Sequence, residues 1–191
     1  MKIALMTWFK FHNYGTALQV FALSRTLHQL GYDTEVIDFD TIERLKHRPE
    51  STFAKIQRIV IGIQQYTYTN AQREQCFESF LNSNLRYSKR CSTFSDLQEL
   101  EVKYDFFICG SDQIWSPLIF DEIRHYFLDF IADSDKKIAY APSLGTGSIS
   151  SKAIRDEIIE LTKNFLSISV REKDGAELLQ KLIHRDIPVV L

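Results

Sequence analysis

Phe11-His12-Asn13-Tyr14-Gly15-Thr16-Ala17-Leu18-Gln19 joins two runs of different period. Before it, Lys2 to Thr7 has strand length and is apolar without a break from Ile3 to Met6, as suits a strand buried on both faces. After it, Val20, Leu23, Leu27 and Leu30 recur at helical spacing, and Gly31 follows as a C-cap. A buried strand handed directly to an amphipathic helix is a strand-to-helix turn of an α/β fold. Such folds bind ligands at the carboxyl ends of parallel strands, where helix N-termini offer N–H groups to an anion. Asn13, Tyr14 and Gly15 are therefore candidate substrate-binding residues, supplying an amide, an aromatic face and a close backbone approach. A plain turn, with Asn13 or Thr16 capping the helix, is the alternative.

Outward from this turn, Thr34 to Phe39 reads as a second strand, which completes a right-handed β-α-β unit. Asp38 lies where dinucleotide-binding folds place a ribose-binding acid, but Asn13-Tyr14-Gly15 lacks the three-glycine pattern, so a nicotinamide cofactor is a weak reading. The strand pattern then stops until Asn84. Thr41 to Glu50 reads as a loop, and Phe53 to Tyr66 and Ala71 to Leu81 as helices, making a helical excursion at about residues 50–84. Cys76 shares a stripe with Phe77, Phe80 and Leu81 and is expected to be buried and inert. A short capped helix spans Ser95 to Leu100. Further strands are predicted at Tyr104 to Cys109, Lys137 to Pro142, Leu166 to Val170 and Ile187 to Leu191, with a short extended piece at Tyr126 to Phe130. Helices run through Ile154, Ile158, Leu161 and Phe165 and over Ala176 to Ile183. The expected fold class is α/β: one Rossmann-like domain over residues 1–191, a mainly parallel sheet with flanking helices.

Four turns follow strands and belong on one edge of such a sheet: Asn13 to Thr16, Gly110 to Trp115, Ser143 to Gly147, and Arg171 to Asp174. They carry Tyr14, Gln113, Trp115 and Arg171, uncommon choices for simple turns. Aromatic faces beside amides and carboxylates suit a sugar or another polar small molecule, and Arg171 can grip a carboxylate or phosphate through parallel hydrogen bonds. Each has a plainer reading. Trp115 before Pro117 can cover the sheet end, Asp112 can cap a turn, and Arg171 can pair with Glu172 or Asp174. His12 is the one histidine in a candidate site. There is no Gly-x-Ser-x-Gly elbow and no Walker lysine motif.

Composition narrows the class. With 23 basic and 25 acidic residues the net charge is −2, which gives no argument for a nucleic-acid or anionic-membrane surface. The cysteines, Cys76, Cys91 and Cys109, form no paired or metal-ligating pattern, so no metal is expected and a reducing cytoplasm fits best. No signal peptide is read at the start, and no apolar run approaches the roughly 20 residues that span a bilayer.

Four segments together resemble one family. Asn13-Tyr14-Gly15 with Ala17-Leu18-Gln19, Gly110-Ser111-Asp112-Gln113-Ile114-Trp115, Tyr140-Ala141-Pro142-Ser143-Leu144-Gly145 and Ser169-Val170-Arg171-Glu172 are similar, in order, to motifs of the polysaccharide pyruvyl transferase family, with Pro142 in place of a small residue. The resemblance implies transfer of a pyruvyl group from phosphoenolpyruvate to a sugar hydroxyl pair of a surface polysaccharide, forming a ketal, with no further cofactor. It implies two facing Rossmann-like domains, as in a two-domain glycosyltransferase architecture, of which this chain is the first half. A missing second domain or self-association is then expected. Asp112 or His12 would act as base, with Arg171 as anion holder. Asn13, Tyr14, Gly15, Ser111, Gln113, Trp115, Ser143, Gly145 and Glu172 would bind substrate, Trp115 and Tyr14 by stacking on a sugar. A sugar-binding module without catalysis is the alternative.

Overall fold

A computed structural model describes residues 1–10, 13–39 and 70–190. The chain folds around a five-stranded sheet, order β2-β1-β3-β4-β5, in which every pairing is parallel. The strands are β1 (Lys2–Met6), β2 (Asp33–Val36), β3 (Phe106–Cys109), β4 (Lys137–Ala139) and β5 (Ser167–Ile168). The helices are α1 (Tyr14–Gln29), α2 (Asn70–Asn84), α3 (Phe94–Gln98), α4 (Phe120–Ile123), α5 (Lys152–Thr162) and α6 (Lys173–Ile183). The α/β Rossmann-like expectation holds. The predicted loop at 41–50 and helix at 53–66 lie outside the described residues. The second half of the excursion is α2, which extends past the predicted Leu81 to Asn84.

β1 is an interior strand, paired on both sides, with Ile3 opposite Thr34 on one side and Phe106 on the other. Its near-continuous burial explains its unbroken apolar run. Leu5, Val20, Leu27, Val36 and Ile108 form the core under α1 and α2. The larger core on the opposite face gathers Met6, Phe107, Trp115, Phe127, Ile158 and Leu179. Both outer strands are covered. Val36 N–H donates to Arg86 O (2.7 Å) and Cys91 N–H to Asp38 O (2.7 Å), so residues 86–91 line the β2 edge. Val170 N–H donates to Pro188 O and receives Val190 N–H in return, so the predicted last strand is a single bridge, Val170 to Val189. Among the described residues this covering leaves no long open strand edge for chance pairing.

The caps follow the sequence. Asn13 accepts from Thr16 N–H at the start of α1, and Tyr32 N–H reaches back to Leu27 O beyond its end at Gly31. Thr93 and Asp96 form a reciprocal capping box on α3.

The extended piece expected at Tyr126 to Phe130 is instead a 3₁₀ turn, Arg124–Phe127, closed by Leu128 at φ 55°. Its aromatic content serves packing, because Phe127 stacks flat on Trp115 with ring centroids 4.8 Å apart and planes 7° apart. Trp115 is 0% exposed, meets Phe165 edge-on at 5.8 Å, and donates its indole N–H to Tyr126 O (3.2 Å). Trp115→Ala should cost about 3–5 kcal/mol, the range for emptying a buried aromatic site. Urea unfolding followed by circular dichroism should show that fall in midpoint at unchanged slope.

Candidate functional site

Because all five strands are parallel, the turns after them share one edge. The order 2-1-3-4-5 reverses direction between β1 and β3, and open α/β sheets bind ligands at such a switch point. The turns after β1 and β3 flank that point here.

These turns are tied together by side chains. Gln19, in the second turn of α1, donates its amide to Thr7 Oγ1 (2.8 Å) and Trp8 O (3.2 Å), and its carbonyl accepts Ser111 N–H (3.2 Å). Thr7 Oγ1 in turn donates to Ser111 O (2.9 Å). Gly110 has φ 119°, and a Cβ there would sit 2.0 Å from Tyr140 O, so only glycine lets β3 leave the sheet this close to β4. Asp112, at φ 93°, accepts the N–H of Gln113 (2.7 Å), and its backbone O accepts Ser143 N–H (2.8 Å). Asp tolerates that conformation better than bulkier residues do.

The turn after β4 rests on Glu172, the residue preceding α6. Glu172 Oε1 accepts Ser143 Oγ–H (2.8 Å), Leu144 N–H (3.0 Å) and, more weakly, Gly145 N–H (3.4 Å). A carboxylate suits this place because its charge strengthens each of the bonds that one oxygen accepts. Gly145 has φ 67°, and a Cβ there would overlap Gln113 Nε2 at 1.7 Å, so the Gln113 amide lies directly over the glycine. Arg171 is exposed; its backbone N–H donates to Pro142 O (3.3 Å), and its Nε lies 3.7 Å from Glu172 Oε2.

The structure thus brings Asn13, Ser111, Asp112, Gln113, Ser143, Gly145, Arg171 and Glu172 to one edge. His12 lies outside the described residues. Trp115 is a correction: its buried ring packs on Phe127 and cannot stack on a sugar, because the 3₁₀ turn covers it. Tyr14 and Gly15 begin α1, and Tyr14 is 66% exposed with its ring 4.9 Å from that of Phe77. Cys76 is a second correction: it is exposed, since the apolar stripe of α2 faces α1 through Phe77 and Leu81 and leaves Cys76 beside it. Burial pushes the thiols of Cys91 and Cys109 up, so Cys109, at the end of β3, stays protonated at neutral pH.

Sequence reasoning quoted Gln19 only as part of a motif and gave it no role, and it missed Thr7, which holds the switch point with it, and Lys10, whose Nζ pairs with Asp38 at the ends of β1 and β2. The β1 pattern already placed Lys10 beyond a strand end. Among the described residues there is no cluster of metal-ligating side chains and no helix long and apolar enough to cross a membrane.

The motifs read from sequence are these same turns, and the family model for polysaccharide pyruvyl transferase matches residues 13–191. The chain belongs to that family. The family is one of transferases acting on polysaccharide. No curated protein and no solved structure gave a significant match.

Two outcomes follow. Glu172→Gln keeps the shape but lacks the charge that serves its donors, and should cost about 1.5–3 kcal/mol locally. Amide hydrogen exchange should then speed at Leu144 and Gly145 and leave β1 unchanged. Near Lys10 and Asp38, burial first and the Asp38 charge second raise Tyr87 to about 12. An unfolded tyrosine ionises near 10. Between those values the unfolded chain gives up its proton first, so the Tyr87 contribution is whole below about pH 10 and is lost as pH rises through about 12. Chemical unfolding across that window should show a shallower fall in Tyr87→Phe.

Proposed function

We propose that this edge takes part in transferring a pyruvyl group from phosphoenolpyruvate to two hydroxyls of one sugar in a polysaccharide or its precursor. The reading makes residues 1–191 a Rossmann-like domain that faces a second one across a cleft, with the described edge as one wall. The observation that carries it is the alignment of all four family-like motifs along the one sheet edge that contains the β1–β3 switch point.

The chemistry balances without a redox step. An acid protonates the methylene carbon of phosphoenolpyruvate, and positive charge develops at the adjacent carbon. One sugar hydroxyl adds there as a base removes its proton. The second hydroxyl then displaces phosphate from the same carbon, closing the ketal, and its proton leaves with the phosphate or passes to the spent acid. Asp112 and His12 are the candidates for base. Asp112 holds its backbone neighbour through Oδ1, which leaves Oδ2 as the oxygen to meet a hydroxyl. Arg171, anchored loosely by Glu172, is the candidate to hold phosphate or carboxylate. Asn13, Gly15, Ser111 and Gln113 offer amide and hydroxyl groups along the same wall, whereas Ser143, 2% exposed with its hydroxyl donated to Glu172, holds the turn and does not meet a substrate as the sequence suggested.

The test is phosphate release from phosphoenolpyruvate by the full-length protein with lipid-linked or free acceptor oligosaccharides. Release that depends on acceptor supports the transferase. Asp112→Asn should lower kcat by about 10²-fold or more if Asp112 is the base, with unchanged thermal unfolding. Glycan binding with no release under any acceptor would leave a sugar-binding module instead.

A further inference from the structure

Beside the edge, α1 and α2 enclose an open groove of about 500 Å³ whose lining, apart from Tyr14, has no role in the catalytic reading. Ligand pockets commonly fall in the range of about 300–1,000 Å³. Its walls are Tyr14, Leu18, Arg73, Cys76, Phe77 and Phe80. We propose that this groove is the subsite for a pyranose ring of the acceptor glycan, with Tyr14 as the stacking platform; the assignment to an acceptor rests on the transferase reading above.

The first argument is position. Tyr14 is the first residue of α1 and follows Asn13, so the groove opens from the turn at the switch point. α2 keeps pace with α1: Phe77 meets Tyr14 at 4.9 Å, and farther along Phe80 meets Phe21 at 5.4 Å. A glycan leaving the reacting hydroxyls can continue between the two helices.

The second argument is chemistry. A pyranose has an apolar C–H face and a rim of hydroxyls. Tyr14 and Leu18 are 66% and 54% exposed, a large apolar outlay at the start of a helix that already buries Ala17 and Val20. The Arg73 guanidinium lies 5.6 Å from the Tyr14 ring and 5.5 Å from the Phe77 ring. Its contact with both rings holds the aromatic wall in place and sets a planar cation at the border of the groove. An aromatic face bordered by a polar, charged rim matches a sugar ring better than a purely apolar tail.

Cys76 supplies the test, because it lies in the groove and is the exposed thiol of the three, Cys91 and Cys109 being buried. Full-length protein is alkylated with iodoacetamide, and modification of Cys76 is followed by mass spectrometry, without phosphoenolpyruvate. The probes are methyl glucopyranoside, methyl galactopyranoside and methyl mannopyranoside, with mannitol as the open-chain control. At least one pyranoside should slow alkylation by 1 + [L]/Kd, about fourfold at a concentration three times Kd, and mannitol should not. Tyr14→Ala and Leu18→Glu should lose the protection, while Tyr14→Phe retains it. The proposal is overturned if no pyranoside protects, if mannitol protects equally, or if Tyr14→Ala leaves protection unchanged. It is also overturned if dilution alone governs the rate, which would assign the groove to a second copy. Protection without phosphate release keeps the subsite and rejects the transferase; release without protection does the reverse.

Discussion

One side-chain amide closes the junction on which the candidate site depends. Gln19 spends both amide hydrogens on the β1 turn and its carbonyl on the backbone of the β3 turn. Neither a glutamate, which has no donors, nor a shorter asparagine reproduces that set. Hydrogen bonds of this kind add only about 1 kcal/mol each to stability. Their importance lies in geometry: they fix where Ser111, and hence Asp112 and Gln113, sit relative to Asn13. From there the linkage runs through Asp112 O to Ser143 and through Ser143 to Glu172, so the wall is one connected network from β1 to the start of α6.

The same wall separates its cations. Lys10 stands over β1 and β2, and Arg171 follows β5, on opposite flanks of the switch point. Three strand spacings separate β1 from β5, roughly 14 Å at the usual 4.7–4.9 Å per strand. A single phosphate does not bridge that distance. Whatever anion meets Arg171 is therefore held by a different set of groups from those around Lys10, and the pairing of Lys10 with Asp38 makes that flank close to neutral.

The fold was readable because its signals are local. Unbroken apolar runs at β1 and β3, helical spacing from Val20 to Leu30, and Gly31 past a helix end each follow from a few neighbouring residues. Positions that depend on distant partners were not. Trp115 reads as a ligand-facing ring until Phe127 and Phe165 are brought over it. Cys76 shares the period of Phe77 and Phe80, but period does not say how wide a stripe the neighbouring helix covers. Glu172 was legible as a site residue, and its loop-holding role was not, since its donors lie nearly thirty residues earlier.

The placement of β1 between β2 and β3 sets an order of events during synthesis. β2 follows β1 after one helix, but Phe106, the partner of Ile3 on the other side, emerges about a hundred residues later. Closing the longer loop costs only roughly 1 kcal/mol more in chain entropy than closing the shorter one. The delay is in time. While the ribosome makes the intervening residues, an apolar strand stands with one row of N–H and C=O groups unpaired, a ready template for a neighbouring chain. Translation speed between β2 and β3 thus bears on yield of folded protein.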